Sequence, residues 1–296
     1  MTAKKKKLII VLAVVAAFLI ALIAWIAWGN TALELNTYAI TSDRLPEAFD
    51  GYRIAHVSDL HNAEMGDDNE KLLTMLREAE PDMIAITGDL IDSRNTDIEV
   101  ALQFAEEAVK IAPCYYVNGN HEANVPKTEY NELETGLIEL GVTVLHDEEV
   151  IVESNDAIIS LIGIDDPRFS GASTAVPDSQ LPATRVGEDM EPERIKALST
   201  TDGFTLLLSH RPEYFTNYVA AGVDLVLSGH AHGGQFRLPF VGGLVAPNQG
   251  LFPKYDAGLY TEDNTNMIVS RGIGNSILPF RVNNRPEVIL IELQCE

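Results

Sequence analysis

The stretch Asp224-Leu-Val-Leu-Ser-Gly-His-Ala-His-Gly-Gly-Gln235 decides how this chain folds. It begins with an apolar run, Leu225 to Leu227, that is typical of a buried strand, and it continues into two histidines. Neighbouring residues of an extended chain point to opposite faces, so we expect His230 and His232 to point the same way. Two imidazoles at one strand end can bind one metal ion, or one ion each of a pair.

Polar side chains follow other apolar runs in the same way. Predicted strands stop just before a set of acidic, amide and imidazole residues, which are Asp59, His61, Asp89, Asn120, His121 and His210. Predicted helices at 69–79, 100–111 and 130–140 separate the first of these strands. Alternating strands and helices predict a largely parallel sheet. Ligands of open α/β sheets bind at the carboxyl ends of the strands, where all these residues are predicted to lie.

These strand-end residues have the chemistry of a metal site. Carboxylate, amide and imidazole groups suit divalent ions such as Mn²⁺, Fe or Zn²⁺, and no cysteine is among them. The set is too large for one ion. It fits two ions roughly 3.5–4 Å apart that share a carboxylate and a hydroxide.

The motifs, taken together, resemble a known family. Asp59-x-His61, Gly88-Asp89, Gly119-Asn120-His121-Glu122, His210 and Gly229-His230-x-His232 are similar, in order and wording, to the five motif blocks of the calcineurin-like metallophosphoesterases. The resemblance covers nearly everything from about residue 51 onward. The ending, 270–276 with 281–287, resembles the single-pass, membrane-anchored bacterial branch known as the YkuE/YaeI type. Ala231 stands where Thr is usual, and Glu122 where Asp is commoner.

The resemblance implies a fold and a division of labour. The expected fold is α/β, an αββα sandwich of two mixed sheets flanked by helices, after an N-terminal transmembrane helix. Asp59, His61 and His232 would hold the first metal. Asn120, His210 and His230 would hold the second, and Asp89 would bridge the two. Mn²⁺ is the first choice of ion, with Fe or Zn²⁺ as alternatives.

The resemblance also implies a reaction. A hydroxide bridging the two metals would attack a phosphodiester or pyrophosphate, with Asp89 and His121 as the catalytic residues. His121 would lie beside the metals and protonate the leaving oxygen or stabilise the transition state. Relatives of this type resemble phosphodiesterases and UDP-diacylglucosamine pyrophosphatases, which implies a lipid-linked or similar envelope substrate. A phosphomonoesterase of the same fold and a non-catalytic metal-binding surface protein stay open as alternatives.

Substrate contacts are less well marked in the sequence. Asn62, Arg211 and Arg271 are candidates for holding a phosphate, as is Arg237, although each also has an ordinary structural interpretation. The apolar stretch 236–252 directly follows the paired histidines. It predicts either a hairpin folded onto the domain or a lip that faces lipid.

The N-terminal segment predicts a membrane anchor. Lys4 to Lys7 precede an uncharged apolar run of 21 residues, Leu8 to Trp28, which is long enough to cross a bilayer as a helix. The lysines should stay in the cytoplasm, which places the catalytic domain outside. A cleaved signal peptide is the alternative, but the run is longer than a signal core and its end is a poor cleavage site. We expect an anchor with a cytoplasmic tip at 1–29, a linker and first strand region at 30–50, and a catalytic domain at 51–296.

Charge narrows the range of partners. The formal net charge is −23, and all 44 acidic residues follow residue 30, so the catalytic part should repel DNA and RNA. A phosphate substrate therefore needs local positive charge, which bound metal ions can supply. The expected partners are this substrate and the bilayer around residues 8–28, and we expect a monomer. A long loop with a short helix at 191–198 is predicted over 165–201.

Overall fold

Strands and helices alternate along most of the chain, as the sequence predicts. The computed structural model describes residues 2–169, 190–275 and 278–296. The helices in these residues are α1 (Ala3–Thr31), α2 (Glu70–Ala79), α3 (Ile98–Ala108), α4 (Lys127–Leu140), α5 (Pro192–Leu198) and α6 (Phe215–Ala221). The strands are β1 (Glu34–Ser42), β2 (Arg53–Val57), β3 (Met83–Thr87), β4 (Cys114–Val117), β5 (Thr143–Val144), β6 (Glu148–Ser154), β7 (Ala157–Ile164), β8 (Thr205–Ser209), β9 (Leu225–Ser228), β10 (Arg237–Leu238), β11 (Gly242–Gly243), β12 (Val245–Ala246), β13 (Gly250–Leu251), β14 (Gly258–Glu262), β15 (Thr265–Val269) and β16 (Glu287–Cys295).

The main strands form two six-stranded mixed sheets. The first has the order β1-β16-β2-β3-β4-β5, in which only the β16–β2 pair is antiparallel. The second has the order β14-β15-β9-β8-β7-β6, with antiparallel pairs at its two edges. The alternation of strands and helices thus correctly indicates parallel pairing, but it does not reveal that the strands divide between two sheets.

Successive side chains of each strand point to opposite faces of its sheet, and this explains how the two sheets pack. In β3, Met83 and Ala85 belong to the core between the sheets, whereas Ile84 and Ile86 belong to the core under α2, α3 and α4. In the second sheet, Leu206 faces the first sheet and Leu207 lies in the core beneath α5 and α6. Both faces of each sheet are therefore buried, and the αββα sandwich is confirmed.

Helix α1 stands apart from these layers. It is long and apolar enough to cross a membrane, with a mean hydropathy of 3.2 over its most apolar window, none of which is buried. The region after it is more ordered than a linker. Strand β1 pairs along its whole length with β16, from Glu34 opposite Glu287 to Ser42 opposite Cys295. The folded domain therefore includes an edge strand that starts well before residue 51.

The sequence predicts surface features over two further regions, 165–201 and 236–252. The predicted loop over 165–201 lies mostly outside the described residues, which resume at 190 and include α5. The stretch 236–252 forms two small antiparallel ribbons, β10–β11 and β12–β13. It is not a hairpin packed flat on the domain, because Phe240 is fully exposed and Leu251 is 75% exposed.

Candidate dinuclear metal centre

All seven predicted ligand residues lie where the carboxyl ends of parallel strands from both sheets meet. Strands β2, β3 and β4 of the first sheet lead into Asp59 and His61, Asp89, and Asn120. Strands β8 and β9 of the second sheet lead into His210, and into His230 and His232. Their side chains form two groups that share one residue, Asp89.

The first group surrounds the Nε2 atoms of two histidines. His61 Nε2 and His232 Nε2 are 3.2 Å apart. His232 Nε2 lies 3.3 Å from Asp59 Oδ1, and His61 Nε2 lies 3.5 Å from Asp89 Oδ2. Every side chain in this group is buried.

The second group is centred on His210 Nε2. This atom lies 3.2 Å from Asp89 Oδ2, 3.2 Å from His230 Nδ1 and 3.3 Å from Asn120 Oδ1. The same oxygen of Asp89 thus faces a histidine of each group. A carboxylate in this position can bridge two cations.

The backbone that presents these residues is not extended. Asp59, His61, Asp89, His230 and His232 have φ between 46° and 64°, in the left-handed region that non-glycine residues rarely adopt. Strand β9 ends at Ser228, so the strand alternation expected for the paired histidines is wrong. Tight turns give the two imidazoles separate directions, one into each group. Such conformations cost about 1–3 kcal/mol each and cluster at functional sites.

Two glycines let the motif loops touch. A Cβ at Gly229 would lie 1.9 Å from Ser58 Oγ and 2.3 Å from Asp59 Oδ2. A Cβ at Gly119 would lie 2.3 Å from Asp89 Oδ1. Any side chain at either position would push a ligand carboxylate out of place.

The charges of the site suit cations. Burial lowers the pKa of His232 to about 3, and it also lowers that of His230, so both rings are neutral and offer lone pairs. Burial opposes the charge of Asp89, but His210 and His121 outweigh this and hold its pKa well below the usual value. The site therefore offers imidazole nitrogens, carboxylates and an amide oxygen that face one another, and all of them are buried. This set of donors fits two borderline divalent ions.

Residues that no motif singled out support this centre. Buried His56 lies 2.8 Å from Thr87 Oγ1, which donates to Ser58 Oγ (2.9 Å). Ser58 Oγ in turn donates to Asp59 Oδ2 (2.6 Å). The sequence predicts for His56 a structural role or one in support of the ligands, and it does not indicate the two hydroxyls, because serine and threonine at strand ends are too common to carry a signal.

His121 lies beside the first group. Its ring is edge-on to that of His61, with centroids 4.5 Å apart. The backbone N–H of Ser93 donates to His121 Nδ1 (3.0 Å), and Asp92 Oδ1 lies 3.5 Å from the same atom. Burial would lower the pKa of His121, but Asp89 and Asp92 outweigh it and raise the pKa.

The candidate substrate residues differ in their contacts and in whether they border the two ligand groups. Arg211 is buried, forms an ion pair with Asp166 and donates to His230 Nε2 (3.0 Å), so it borders the second group. The amide of Asn62 accepts from the N–H of Asp92 (3.2 Å) and donates to a backbone carbonyl in the same loop.

The remaining two arginines are each paired with carboxylates. Arg271 forms ion pairs with Glu34 (2.8 Å) and Glu287 (2.7 Å). Arg237 forms an ion pair with Asp256 (2.9 Å).

Comparisons with known proteins agree with this geometry. The calcineurin-like phosphoesterase family matches residues 52–234. The chain is 28% identical over 274 residues to the metallophosphoesterase YkuE of Bacillus subtilis, covering 88% of this chain and 86% of that one. It is 27% identical over 217 residues to the phosphodiesterase YaeI of Escherichia coli, covering 73% and 72%. It is 29% identical over 265 residues to a Danio rerio transmembrane protein with a metallophosphoesterase domain, covering 86% and 56%.

Proposed function

The chain belongs to the calcineurin-like phosphoesterase family of metal-dependent hydrolases, and from this membership we propose that it is a membrane-anchored phosphodiesterase or pyrophosphatase. The observation that carries the proposal is the pair of buried ligand groups that share Asp89. The proposed substrate is lipid-linked, with a phosphodiester or pyrophosphate near the membrane surface.

The two groups divide the proposed ligands as the family resemblance implies. Asp59, His61 and His232 would hold one ion, with Asp89 between the two sites. Asn120, His210 and His230 would hold the other. Two bound divalent cations, with Mn²⁺ the first choice and Fe or Zn²⁺ the alternatives, would acidify a water molecule and neutralise the phosphoryl oxygens.

The protein's own side chains contribute proton transfer and positioning. Asp89 and Asp92 raise the pKa of His121 and so favour its imidazolium form. We assign His121 the role of donating a proton from this form to the leaving oxygen, which leaves the neutral ring. The Arg211 guanidinium, at the edge of the second group, is suited to hold a phosphoryl oxygen. Asn62 and Arg271 stay candidates for substrate binding.

A lip of exposed apolar side chains supports a lipid-linked substrate. We define the lip as Leu238, Phe240, Val241, Val245, Leu251 and Phe252, each at least 41% exposed. The lip begins at Leu238, four residues after Gly234, and the N–H of Leu244 in the same segment donates to the Gly234 carbonyl (3.2 Å), so the segment adjoins the loop of His232. Apolar surface of this kind next to a polar site fits a ligand whose head reaches the metals while its chains stay in lipid.

The N-terminal helix supports the proposed location. Helix α1 and the transmembrane relative both indicate a membrane anchor. We propose that residues 1–29 form a cytoplasmic tip and a single uncleaved span, and that the catalytic domain, with β1 as its first strand, lies outside the membrane.

The proposal is tested with the full-length protein in detergent. After chelation, the protein is reloaded with Mn²⁺, Fe²⁺ or Zn²⁺ and assayed on bis-p-nitrophenyl phosphate, p-nitrophenyl phosphate and UDP-diacylglucosamine. We expect metal-dependent turnover of a diester or the pyrophosphate, and a loss of at least about 100-fold in Asp89→Asn. Asp82→Asn, an aspartate at the amino end of β3, is the matched control and should retain activity.

Two results would contradict the proposal. Absence of turnover on all three substrates with every metal would reject the hydrolase assignment. Undiminished activity of Asp89→Asn would reject the bridging position of that residue.

A further inference from the structure

A small cavity lies where the anchor helix meets the catalytic domain. Its volume is about 180 Å³, and helix α1 contributes Trp25, Ile26 and Trp28 to its wall. The domain contributes three arginines, Arg271, Arg281 and Arg285, together with a few polar residues. None of the proposed metal ligands lines this cavity.

The cavity is built by specific contacts between the two parts of the chain. Asn30, at the end of α1, donates to the carbonyl of Arg281 (2.9 Å) and accepts from its N–H (2.7 Å). The Arg285 guanidinium lies 5.0 Å from the centre of the Trp28 ring and donates to the Ala32 carbonyl (2.8 Å). These bonds hold the helix against the domain in one position.

The charges around the cavity leave one cation unpaired. Glu34 and Glu287 form ion pairs with Arg271, and Glu34 also pairs with Arg285. Arg281 is only 2% exposed, and no carboxylate in the described ranges forms an ion pair with it. Its two terminal nitrogens donate to the carbonyls of Arg271 and Gly274, and its buried Nε has no hydrogen-bond partner among the described residues. Asp59 and Glu287 lie near enough to favour the charge of Arg281, but neither accepts a hydrogen bond from its Nε, and a buried donor without an acceptor is costly.

We propose that this cavity binds the phosphate of an anionic membrane phospholipid. Guanidinium groups match phosphate oxygens in geometry and charge. Tryptophans at the end of an apolar helix lie at the depth of lipid headgroups, and basic pockets beside membrane helices are suited to those headgroups. In a chain of net charge −23, three arginines facing two carboxylates form a local site for an anion.

The cavity is also connected to the loop that carries His232, one of the proposed metal ligands. Asn284, which lines the cavity, donates to the carbonyl of His232 (2.7 Å). A bound headgroup would therefore brace the loop that presents this proposed ligand. The inference rests on the proposed membrane anchor and not on the proposed reaction.

The test uses full-length protein in nanodiscs of phosphatidylcholine alone or mixed with phosphatidylglycerol. Native mass spectrometry counts the lipids retained after release from the disc. Trp25 and Trp28 are the only tryptophans, so intrinsic fluorescence reports on the cavity directly. We expect phosphatidylglycerol to bind about tenfold more tightly than phosphatidylcholine and to shift the fluorescence.

Arginine variants assign the effect to the cavity. Arg281→Gln and Arg285→Gln should lose the preference, while Arg77→Gln, which removes the same charge from α2, should keep it. Thermal unfolding checks that each variant is folded, and Arg285→Gln carries the test if Arg281→Gln does not fold. Asp89→Asn should still retain phosphatidylglycerol, so a failure of the proposed reaction is distinguishable from a failure of this site.

Three outcomes would overturn the inference. Equal retention of the two lipids would show no headgroup recognition. An unchanged preference in the folded arginine variants would place the recognition elsewhere. Displacement of phosphatidylglycerol by inorganic phosphate in detergent would assign the site to free phosphate and not to a lipid.

Discussion

At the scale of single residues, two hydroxyl groups support the carboxylate of Asp59, a proposed metal ligand. The hydrogen bonds from His56 through Thr87 and Ser58 to Asp59 leave the carboxylate one favoured orientation. Replacing a group that orients a metal ligand in this way typically lowers metal affinity by about 10–100-fold.

Replacing Ser58 tests this support. We expect Ser58→Ala to lower metal affinity by about 10–100-fold, because Asp59 loses the hydroxyl that orients it. Chelator competition measures the affinity. Ser160→Ala is the matched control, since that buried hydroxyl bonds Glu149 in the second sheet and should leave metal affinity unchanged. Equal affinities of the Ser58→Ala variant and the wild type would remove the hydroxyl from the site's support.

Glu122 joins two of the motif loops through backbone hydrogen bonds. Its buried carboxylate accepts from the N–H groups of Asp89 (3.0 Å), Gly119 (2.9 Å) and Ile91 (3.3 Å). The longer side chain in place of the commoner aspartate still reaches all three donors. Its loss would leave them buried without partners.

Substituting Glu122 should therefore cost stability. We expect Glu122→Ala to lower the free energy of unfolding by about 3 kcal/mol, as expected for several unsatisfied buried donors, and Glu122→Gln to lower it less. Urea unfolding in detergent gives the measurement. Glu153→Ala, on the exposed face of β6, should change it by no more than about 0.5 kcal/mol. A cost for Glu122→Ala as small as that of the control would contradict this account.

At the scale of elements, a histidine ties α4 to loops beside the site. The sequence around His146 predicts a surface position, but its Nε2 lies 2.6 Å from Glu134 of α4 and its Nδ1 lies 2.9 Å from Asp165, just after β7. The hydrogen bond with Asp165, followed by the charge of Asp165 and the contact with Glu134, raises the pKa of His146 to about 9. Asn118 also bonds Asp165 (2.7 Å), which connects this cluster to the loop after β4.

This contact should make stability depend on pH. Because the folded pKa of His146 is above the ordinary value of 6.5, its contribution is complete below that value and is lost as pH rises through about 9. We expect His146→Gln to destabilise the protein at pH 6 and much less at pH 10, measured by urea unfolding. His56→Gln is the comparison with the opposite sign: burial lowers the pKa of His56 to about 3, so protonation of its ring in the unfolded state opposes folding at pH 6, and its replacement should cost less at pH 6 than at pH 10. A constant cost of His146→Gln would show that the ring's charge is not involved.

The sequence predicted some elements better than others. The apolar runs Cys114 to Val117 and Ala157 to Ile164 predict two strands, and β4 and β7 have these bounds because both runs are largely buried. Strand β1 was predicted only as part of a linker and first strand region, since its residues alternate between half-buried and exposed and include polar side chains. Strands β6 and β14, at the edges of the second sheet, were missed for the same reason. Edge strands carry a weaker apolar signal than central ones.

At the scale of the whole molecule, the proposed anchor and the proposed lip would define which side of the protein faces a membrane. Phe236, at the start of the lip's chain segment, contacts Phe280 with ring centroids 5.5 Å apart. The neighbouring residue, Arg281, is the one bonded to Asn30 at the end of α1. Contacts among these few residues therefore connect the lip to the end of α1. This connection favours a position of both the lip and the helix end at the same membrane surface.

Removing the lip's apolar side chains tests this orientation. We expect the double variant Phe240→Ser with Leu251→Ser to lower turnover of a lipid phosphate in vesicles at least about tenfold, because exposed apolar area no longer enters the bilayer. Turnover of soluble bis-p-nitrophenyl phosphate should not change. Ile138→Ser, an exposed apolar residue on α4, is the matched control. Unchanged turnover in vesicles would end the proposal of a lipid-facing lip.

The sequence by itself determined the chemistry and the local elements. Residue types at strand ends indicated a two-metal site, and an uncharged run of 21 residues indicated a membrane helix, since both signals lie in short stretches of chain. Only the tertiary structure decided that β2, β3 and β4 present their residues to those of β8 and β9 across the interface of two sheets. It also decided that the turns of His230 and His232 are left-handed, which separates the two rings. Sheet-to-sheet packing joins residues far apart in the chain, and local periodicity carries no record of such contacts.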